Sequence, residues 1–110
     1  MGVAYLLLVV AILCEVVGTL ALKMSDGFTR LVPSLFVVLG YMGAFASLGV
    51  GLSRGLSMGV AYGIWAGAGT ALVAIAGIVL FKENINAWGF VGIALIIAGV
   101  VLLEMNSSHG

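Results

Sequence analysis

Four long apolar runs, separated by short polar breaks, decide what this chain can fold into. The runs cover residues 3–22, 31–52, 58–81 and 87–103, and a polar tail follows at 104–110. A helix needs about 20 apolar residues to cross a bilayer, so each run is long enough, and the alternating pattern of a membrane β-barrel is absent. We therefore predict an all-α membrane protein with four transmembrane helices, forming one transmembrane domain over residues 1–110.

The composition agrees with a membrane protein and argues against other classes. Hydrophobic residues make up 64% of the chain and charged residues only 7%, whereas soluble domains carry about 25% charged residues. The formal net charge is zero, so no basic patch is available for nucleic acid. Cys14 is the single cysteine, and metal-ligand spacing is absent. We expect no enzyme activity, no metal, no cofactor and no nucleic-acid partner.

Glu15 is the carboxylate that lies deep within an apolar run, because Asp26, Glu83 and Glu104 stand at the ends of runs. A charge at the bilayer centre costs about 2.5–3.5 kcal/mol on insertion scales. No lysine or arginine lies inside the four runs to neutralise it. A proton or a cation from outside the protein must do so, which predicts a binding or proton-relay site. The alternative is a protonated carboxyl with a purely structural role.

Other helices must supply the remaining partners of Glu15. The aromatic candidates are Tyr41 in the second run and Tyr62 and Trp65 in the third. Aromatic rings attract organic cations by about 2 kcal/mol or more when desolvated, although Tyr62 and Trp65 are also suited to packing or to anchoring at the membrane interface. The helical period of 3.6 places six further residues on the face of Glu15: Leu8, Ala11, Ile12, Gly18, Thr19 and Leu22.

Small residues recur at helical spacing in the third and fourth runs. Glycine stands at every fourth residue from Gly59 to Gly67, a pattern that lets helices in lipid approach closely, within one chain or between two. Gly67 and Gly69 together predict a hinge, with close packing as the alternative. Gly92 and Gly99 lie two turns apart on a run without polar side chains, which favours a dimer contact.

Four helices leave little room for a solvated pathway, and two copies would enclose a chamber with two Glu15 side chains. An oligomer, most simply a dimer, is therefore expected.

Lys23, Arg30 and Lys82 fall on one side of the membrane and Arg54 on the other. This three-to-one bias fixes the orientation only weakly under the positive-inside rule.

Several motifs resemble the small multidrug resistance family of proton-coupled exporters, over almost the whole chain. They are Glu-Val-Val-Gly-Thr at 15–19, Ser-Asp-Gly-Phe-Thr-Arg-Leu at 25–31 followed by Pro-Ser at 33–34, Gly-Val-Ala-Tyr-Gly-Ile-Trp at 59–65, Gly-Ala-Gly at 67–69, and the glycines of the fourth run. The resemblance implies an antiparallel dimer in the bacterial cytoplasmic (inner) membrane, for which we expect a homodimer, with a heteromeric pair formed with a paralogous partner as the alternative. It also implies that protons and a cationic substrate compete for the Glu15 of both subunits.

The resemblance also assigns site residues and a substrate class. It implies that Tyr41, Tyr62 and Trp65 line the substrate chamber, and that Ala44 stands beside Glu15 where many members have a serine. It implies a bend in the third helix at residues 67–69 and a dimer contact from residue 92 to residue 99. The guanidinium-exporting branch usually has tryptophan three residues after the glutamate, where this chain has glycine. We therefore expect export of lipophilic or aromatic cations such as quaternary ammonium compounds; the alternatives are a guanidinium or polyamine exporter of the same fold, or a non-transporting membrane proteolipid.

Overall fold

A computed structural model describes residues 2–107, which form four helices in chain order: α1 (Gly2–Met24), α2 (Leu31–Ser53), α3 (Met58–Phe81) and α4 (Ala87–Ser107). Each helix is long and apolar enough to cross a membrane, and the described residues contain no strand. This confirms the predicted all-α fold with four transmembrane helices. That residues 1–110 act as one transmembrane domain stays a prediction.

The fourth helix is longer than expected. It continues through Glu104 to Ser107, where the polar tail was predicted to begin. The charge of Glu104 suggested an end, but glutamate and methionine are good helix formers and no proline or glycine stands between 104 and 107 to stop the helix. Residues 108–110 of the expected tail lie outside the described residues.

The helices pair in two compact units, divided between Leu56 and Ser57. In the first unit α1 packs against α2, and in the second α3 packs against α4. Since apolar side chains gain little from each other in lipid, close packing of small residues has to hold such pairs together. The two units are described separately below.

A backbone-to-backbone contact holds α1 and α2 together. A β-carbon built onto Gly40 would lie 2.8 Å from the Cα atom of Gly18 and 2.9 Å from the carbonyl oxygen of Cys14. Towards the other end of the pair, a β-carbon on Gly51 would lie 3.5 Å from the carbonyl oxygen of Ala4. The two helices are therefore antiparallel, and residues early in α1 face residues late in α2.

The turn between α1 and α2 is built around the buried side chain of Ser25. Its hydroxyl donates to the carbonyl of Leu22 at 2.7 Å and accepts the N–H of Phe28 at 3.1 Å. Asp26, Gly27 and Phe28 take left-handed backbone conformations with φ of 50°, 68° and 67°. Glycine adopts this region without steric penalty, so Gly27 suits the centre of a turn that reverses the chain within a few residues.

Glycines of α3 also allow α4 to pack closely against it. A β-carbon on Gly63 would lie 2.6 Å from Cδ1 of Leu103, and one on Gly67 would lie 2.6 Å from Cγ2 of Val100. Branched side chains of α4 thus fill the positions that the glycines of α3 leave open. Gly63 and Gly67 therefore pack within the chain, which was one of the two interpretations left open by the sequence, whereas a β-carbon on Gly59 would meet no heavy atom of the described residues outside the local helix backbone within 4 Å.

Candidate functional site

Glu15 lies in the middle of α1 and has its two carboxylate oxygens in different environments. Oε1 accepts a hydrogen bond of 3.3 Å from the hydroxyl of Thr19, one turn further along the same helix face. Oε2 is buried and has no hydrogen-bond partner among the described residues. A buried polar atom without a partner is costly, and most of all when it is charged. This oxygen has the capacity to accept a hydrogen bond, and that it binds a proton or a cation stays a prediction.

Thr19 connects Glu15 to the second helix. Its hydroxyl oxygen lies 2.5 Å from the hydroxyl oxygen of Tyr41. A threonine hydroxyl has one proton to donate, so when Thr19 donates to Glu15, the Tyr41 hydroxyl donates to Thr19. The three side chains then form a chain of donors that ends on the carboxylate. A donor chain of this kind stabilises the ionised form of the acid.

Apolar and small side chains surround this polar chain. Ala44 is 0% exposed and lies one turn beyond Gly40 in α2, while Glu15 lies about one turn before Gly18 in α1. Because Gly18 and Gly40 touch and the helices are antiparallel, Ala44 stands at the level of Glu15. Its methyl group offers no hydrogen bond there. Four other predicted residues of this face are also buried: Leu8, Ala11, Ile12 and Gly18. Thr19 is half-buried, and Leu22, near the end of α1, is exposed.

The two aromatic candidates of α3 form a pair within the second unit. The ring centroids of Tyr62 and Trp65 lie 5.5 Å apart with the rings tilted by 58°, a favourable aromatic geometry. Trp65 is only 7% exposed, whereas Tyr62 is 54% exposed. The buried tryptophan supports the ring of the tyrosine, and one face of Tyr62 stays accessible. Their place in a substrate chamber stays a prediction.

The glycines predicted as a hinge and as a dimer contact differ in their surroundings. Gly67 faces Val100, as described above, and Gly69 is buried, while α3 runs through both without a break. On α4, no heavy atom of the described residues outside the local helix backbone lies within 4 Å of a β-carbon built onto Gly92 or Gly99. The hinge and the dimer contact both stay predictions.

Sequence reasoning missed Gly40, which makes the closest contact between α1 and α2. The available signal was its position next to Tyr41, together with its symmetry about the turn. Gly18 and Gly40 stand at equal sequence distances from Thr29. Two glycines placed in this way meet when an apolar hairpin closes. The pattern becomes informative only once the short turn is known to make the two helices antiparallel.

Comparison with known proteins gives full-length matches. The family model described as Small Multidrug Resistance protein matches residues 3–96. Multidrug resistance protein mmr of Mycolicibacterium paratuberculosis is 46% identical over 105 residues, which cover 96% of this chain and 98% of that protein. Quaternary ammonium compound-resistance protein QacE of Escherichia coli is 45% identical over 103 residues, covering 94% and 93%. Multidrug resistance protein EbrA of Bacillus subtilis is 44% identical over 104 residues, covering 94% and 98%.

Proposed function

The chain belongs to the small multidrug resistance family, and from that premise we propose that it is a proton-coupled antiporter for lipophilic or aromatic cations such as quaternary ammonium compounds. At the coarser level it is a multidrug efflux transporter and a multi-pass protein of the bacterial inner membrane. We propose that the coupling to protons and the exchange of cations both occur at Glu15.

The observation that carries the proposal is the buried oxygen Oε2 of Glu15, which has no hydrogen-bond partner among residues 2–107. No lysine or arginine occurs within the apolar runs of the sequence. A single carboxylate can hold either a proton or a cationic substrate, because the protonated acid has lost the charge that attracts the cation. Protons therefore displace the cation on the acidic side of the membrane, and the cation displaces protons on the other side.

This competition links the proton gradient to export. One elementary charge moved across the membrane is worth about 2.3 kcal/mol per 100 mV, and each pH unit of difference is worth about 1.36 kcal/mol per proton. If two protons enter for each monovalent cation that leaves, both the pH difference and the membrane potential drive export. A dimer with two Glu15 side chains provides two proton sites for such an exchange.

A second copy of the chain is the proposed partner, inserted in the opposite orientation. Gly92 and Gly99 offer an open face for close approach, and no residue of α4 between 87 and 106 is buried. The weak charge bias of the loops supports insertion in both directions. Each subunit of the dimer would contribute its own Glu15 to the shared chamber.

The proposed substrate class rests on the aromatic surface and on the names of the relatives. Gly18 does not supply chamber volume, because the ring of Tyr41 and the backbone of Gly40 fill the space beside it. The exposed ring of Tyr62 supplies a face that attracts organic cations more than small hydrated ones. The names of the relatives mmr, QacE and EbrA refer to multidrug and quaternary ammonium resistance, in agreement with this class.

The test is pH-dependent binding of a tetraphenylphosphonium cation to purified Glu15→Gln protein. We expect wild-type affinity to rise with pH and the Glu15→Gln variant to lose binding or its pH dependence. Glu104→Gln is the matched control, since it removes the same charge at the end of α4. If protons and the cation still compete in the Glu15→Gln variant, the shared-carboxylate mechanism is refuted. If proteoliposomes transport guanidinium but do not transport the bulky cation, the result would instead favour the guanidinium exporter.

A further inference from the structure

We propose that Gly40 is a positioning residue, whose contact with Gly18 holds Tyr41 against Thr19 and so sets the pH at which Glu15 exchanges a proton for a cation. The inference rests on the proposed function of Glu15 and extends it to a residue outside the chamber. It starts from the closest approach of α2 to α1, which occurs at the residue next to Tyr41.

The contact at Gly40 tolerates no side chain. A β-carbon there would lie 2.8 Å from the Cα atom of Gly18, 2.9 Å from its backbone nitrogen and 2.9 Å from the carbonyl oxygen of Cys14. Real β-carbons essentially never come within 3.0 Å of such atoms. All three obstructing atoms belong to the backbone of α1, so no side-chain rotation can relieve the clash. A substitution at Gly40 must move α2 away from α1.

Tyr41 would move with that displacement, because it follows Gly40 directly and its ring lies against Gly18. A β-carbon on Gly18 would lie 3.2 and 3.3 Å from the ring atoms Cδ2 and Cε2 of Tyr41. From this position the hydroxyl of Tyr41 reaches the hydroxyl of Thr19 at 2.5 Å. Hydrogen bonds between hydroxyl groups have oxygen–oxygen distances of about 2.5–3.0 Å, so a shift of less than 1 Å in α2 moves the Tyr41 hydroxyl out of this range.

The donor chain acts on Glu15 through its charged form. Tyr41 is the titratable side chain that α2 presents towards Glu15, and Cys14 is its titratable neighbour on α1. Thr19 donates to the carboxylate and stabilises its ionised form, and Tyr41 strengthens that hydrogen bond by donating to Thr19. Loss of the Tyr41 donor therefore lets protons compete with the cation up to a higher pH.

Other glycines of α2 offer matched controls. A β-carbon on Gly43 would meet the Sγ atom of Cys14 at 3.3 Å, which is the end of a side chain. A β-carbon on Gly49 would have no heavy atom of the described residues, outside the local helix backbone, within 4 Å. Gly49→Ala thus introduces the same chemical change into the same helix without separating α1 from α2.

The experiment measures tetraphenylphosphonium binding across a pH series for wild type, Gly40→Ala, Tyr41→Phe, the Gly40→Ala/Tyr41→Phe double variant and Gly49→Ala. We expect the midpoint of the pH dependence to rise by about 0.1–0.3 pH unit in Gly40→Ala and in Tyr41→Phe, because Tyr41 reaches the carboxylate only through Thr19 and strengthens that hydrogen bond by about 10–30%. The double variant should match Tyr41→Phe, because Gly40 acts through Tyr41. Gly49→Ala should keep the wild-type midpoint.

A folded Gly40→Ala protein with the wild-type midpoint would overturn the positioning role, as would shifts that add fully in the double variant. If Gly40→Ala does not fold, Gly18→Ala replaces it, since its new β-carbon meets the Tyr41 ring and presses on the same contact from α1. An unchanged midpoint in Gly18→Ala then overturns the proposal. If wild type itself shows no pH dependence, the proposed function of Glu15 fails and the role of Gly40 fails with it.

Discussion

Replacing Thr19 by valine tests the polar chain at its centre. Valine has nearly the shape of threonine but lacks the hydroxyl, so Thr19→Val preserves packing in α1. The change removes the donor to Oε1 of Glu15, which lies 3.3 Å away. It also removes the group that pairs with the Tyr41 hydroxyl. Neither oxygen of the carboxylate then has a hydrogen-bond partner among the described residues, because Oε2 has none in the wild type.

The expected magnitude follows from the strength and the length of this hydrogen bond. A hydrogen bond to a charged group contributes about 1.5–3 kcal/mol, and a distance of 3.3 Å favours the lower end. At about 1.36 kcal/mol per pH unit, the loss amounts to roughly one pH unit. The sign is set by the ionised form, which Thr19 stabilises. In Thr19→Val, competition by protons against the cation should therefore extend to a pH about one unit higher.

The assay is equilibrium binding of a lipophilic cation from well below to well above the midpoint. Below the midpoint, competition with protons should weaken apparent binding by about tenfold. Well above it, where protons no longer compete, Thr19→Val and wild type should converge. Thr70→Val is the control, because Thr70 is exposed on α3. If Thr19→Val lowers the affinity for the cation by the same factor at every pH, the reasoning is refuted, since such a loss would indicate a change in the chamber rather than in proton binding by Glu15.

Two further predictions concern helix packing. Gly67→Val should destabilise the packing of α4 on α3 by about 1–3 kcal/mol, because its β-carbon would meet Val100 at 2.6 Å. Thermal unfolding in mild detergent measures this loss, with Gly59→Val as the control because the space at Gly59 is open. Equal stability of the two variants would contradict the prediction. Replacing both Gly92 and Gly99 by leucine should dissociate the proposed dimer while leaving the helix content unchanged, as read from the mass in mild detergent and from circular dichroism. A dimer that survives this double substitution would argue against the α4 contact.

The four helices could be predicted from the sequence because lipid forces every backbone polar group to find a partner within the chain. Long apolar runs then have one structural solution, and their ends follow from the polar breaks. The end of α4 was harder to place, since Glu104 has both the charge of a tail and the propensity of a helix. Whether the helix continues past Glu104 depends on helix propensity as well as on charge, and hydropathy does not report helix propensity.

The candidate site could be predicted along one helix but not between helices. Glu15 and Thr19 stand four residues apart, so the helical period alone places them on one face. The link from Thr19 to Tyr41 depends on the register between α1 and α2, which the contact of Gly18 with Gly40 determines. The same limit applies to Gly63 and Gly67, whose packing inside the chain became evident only from the positions of Leu103 and Val100.

The turn at Ser25 bears on how the protein enters the membrane during synthesis. An isolated α1 would carry Glu15 into lipid at a cost of about 2.5–3.5 kcal/mol. Because the turn is short, α2 can enter as the second arm of a hairpin and bring Tyr41 to Thr19 before the second half of the chain is made. The hydroxyl of Ser25 bonds to the backbone on both of its sides, so the tip of this hairpin satisfies part of its backbone hydrogen bonding without help from the second half of the chain.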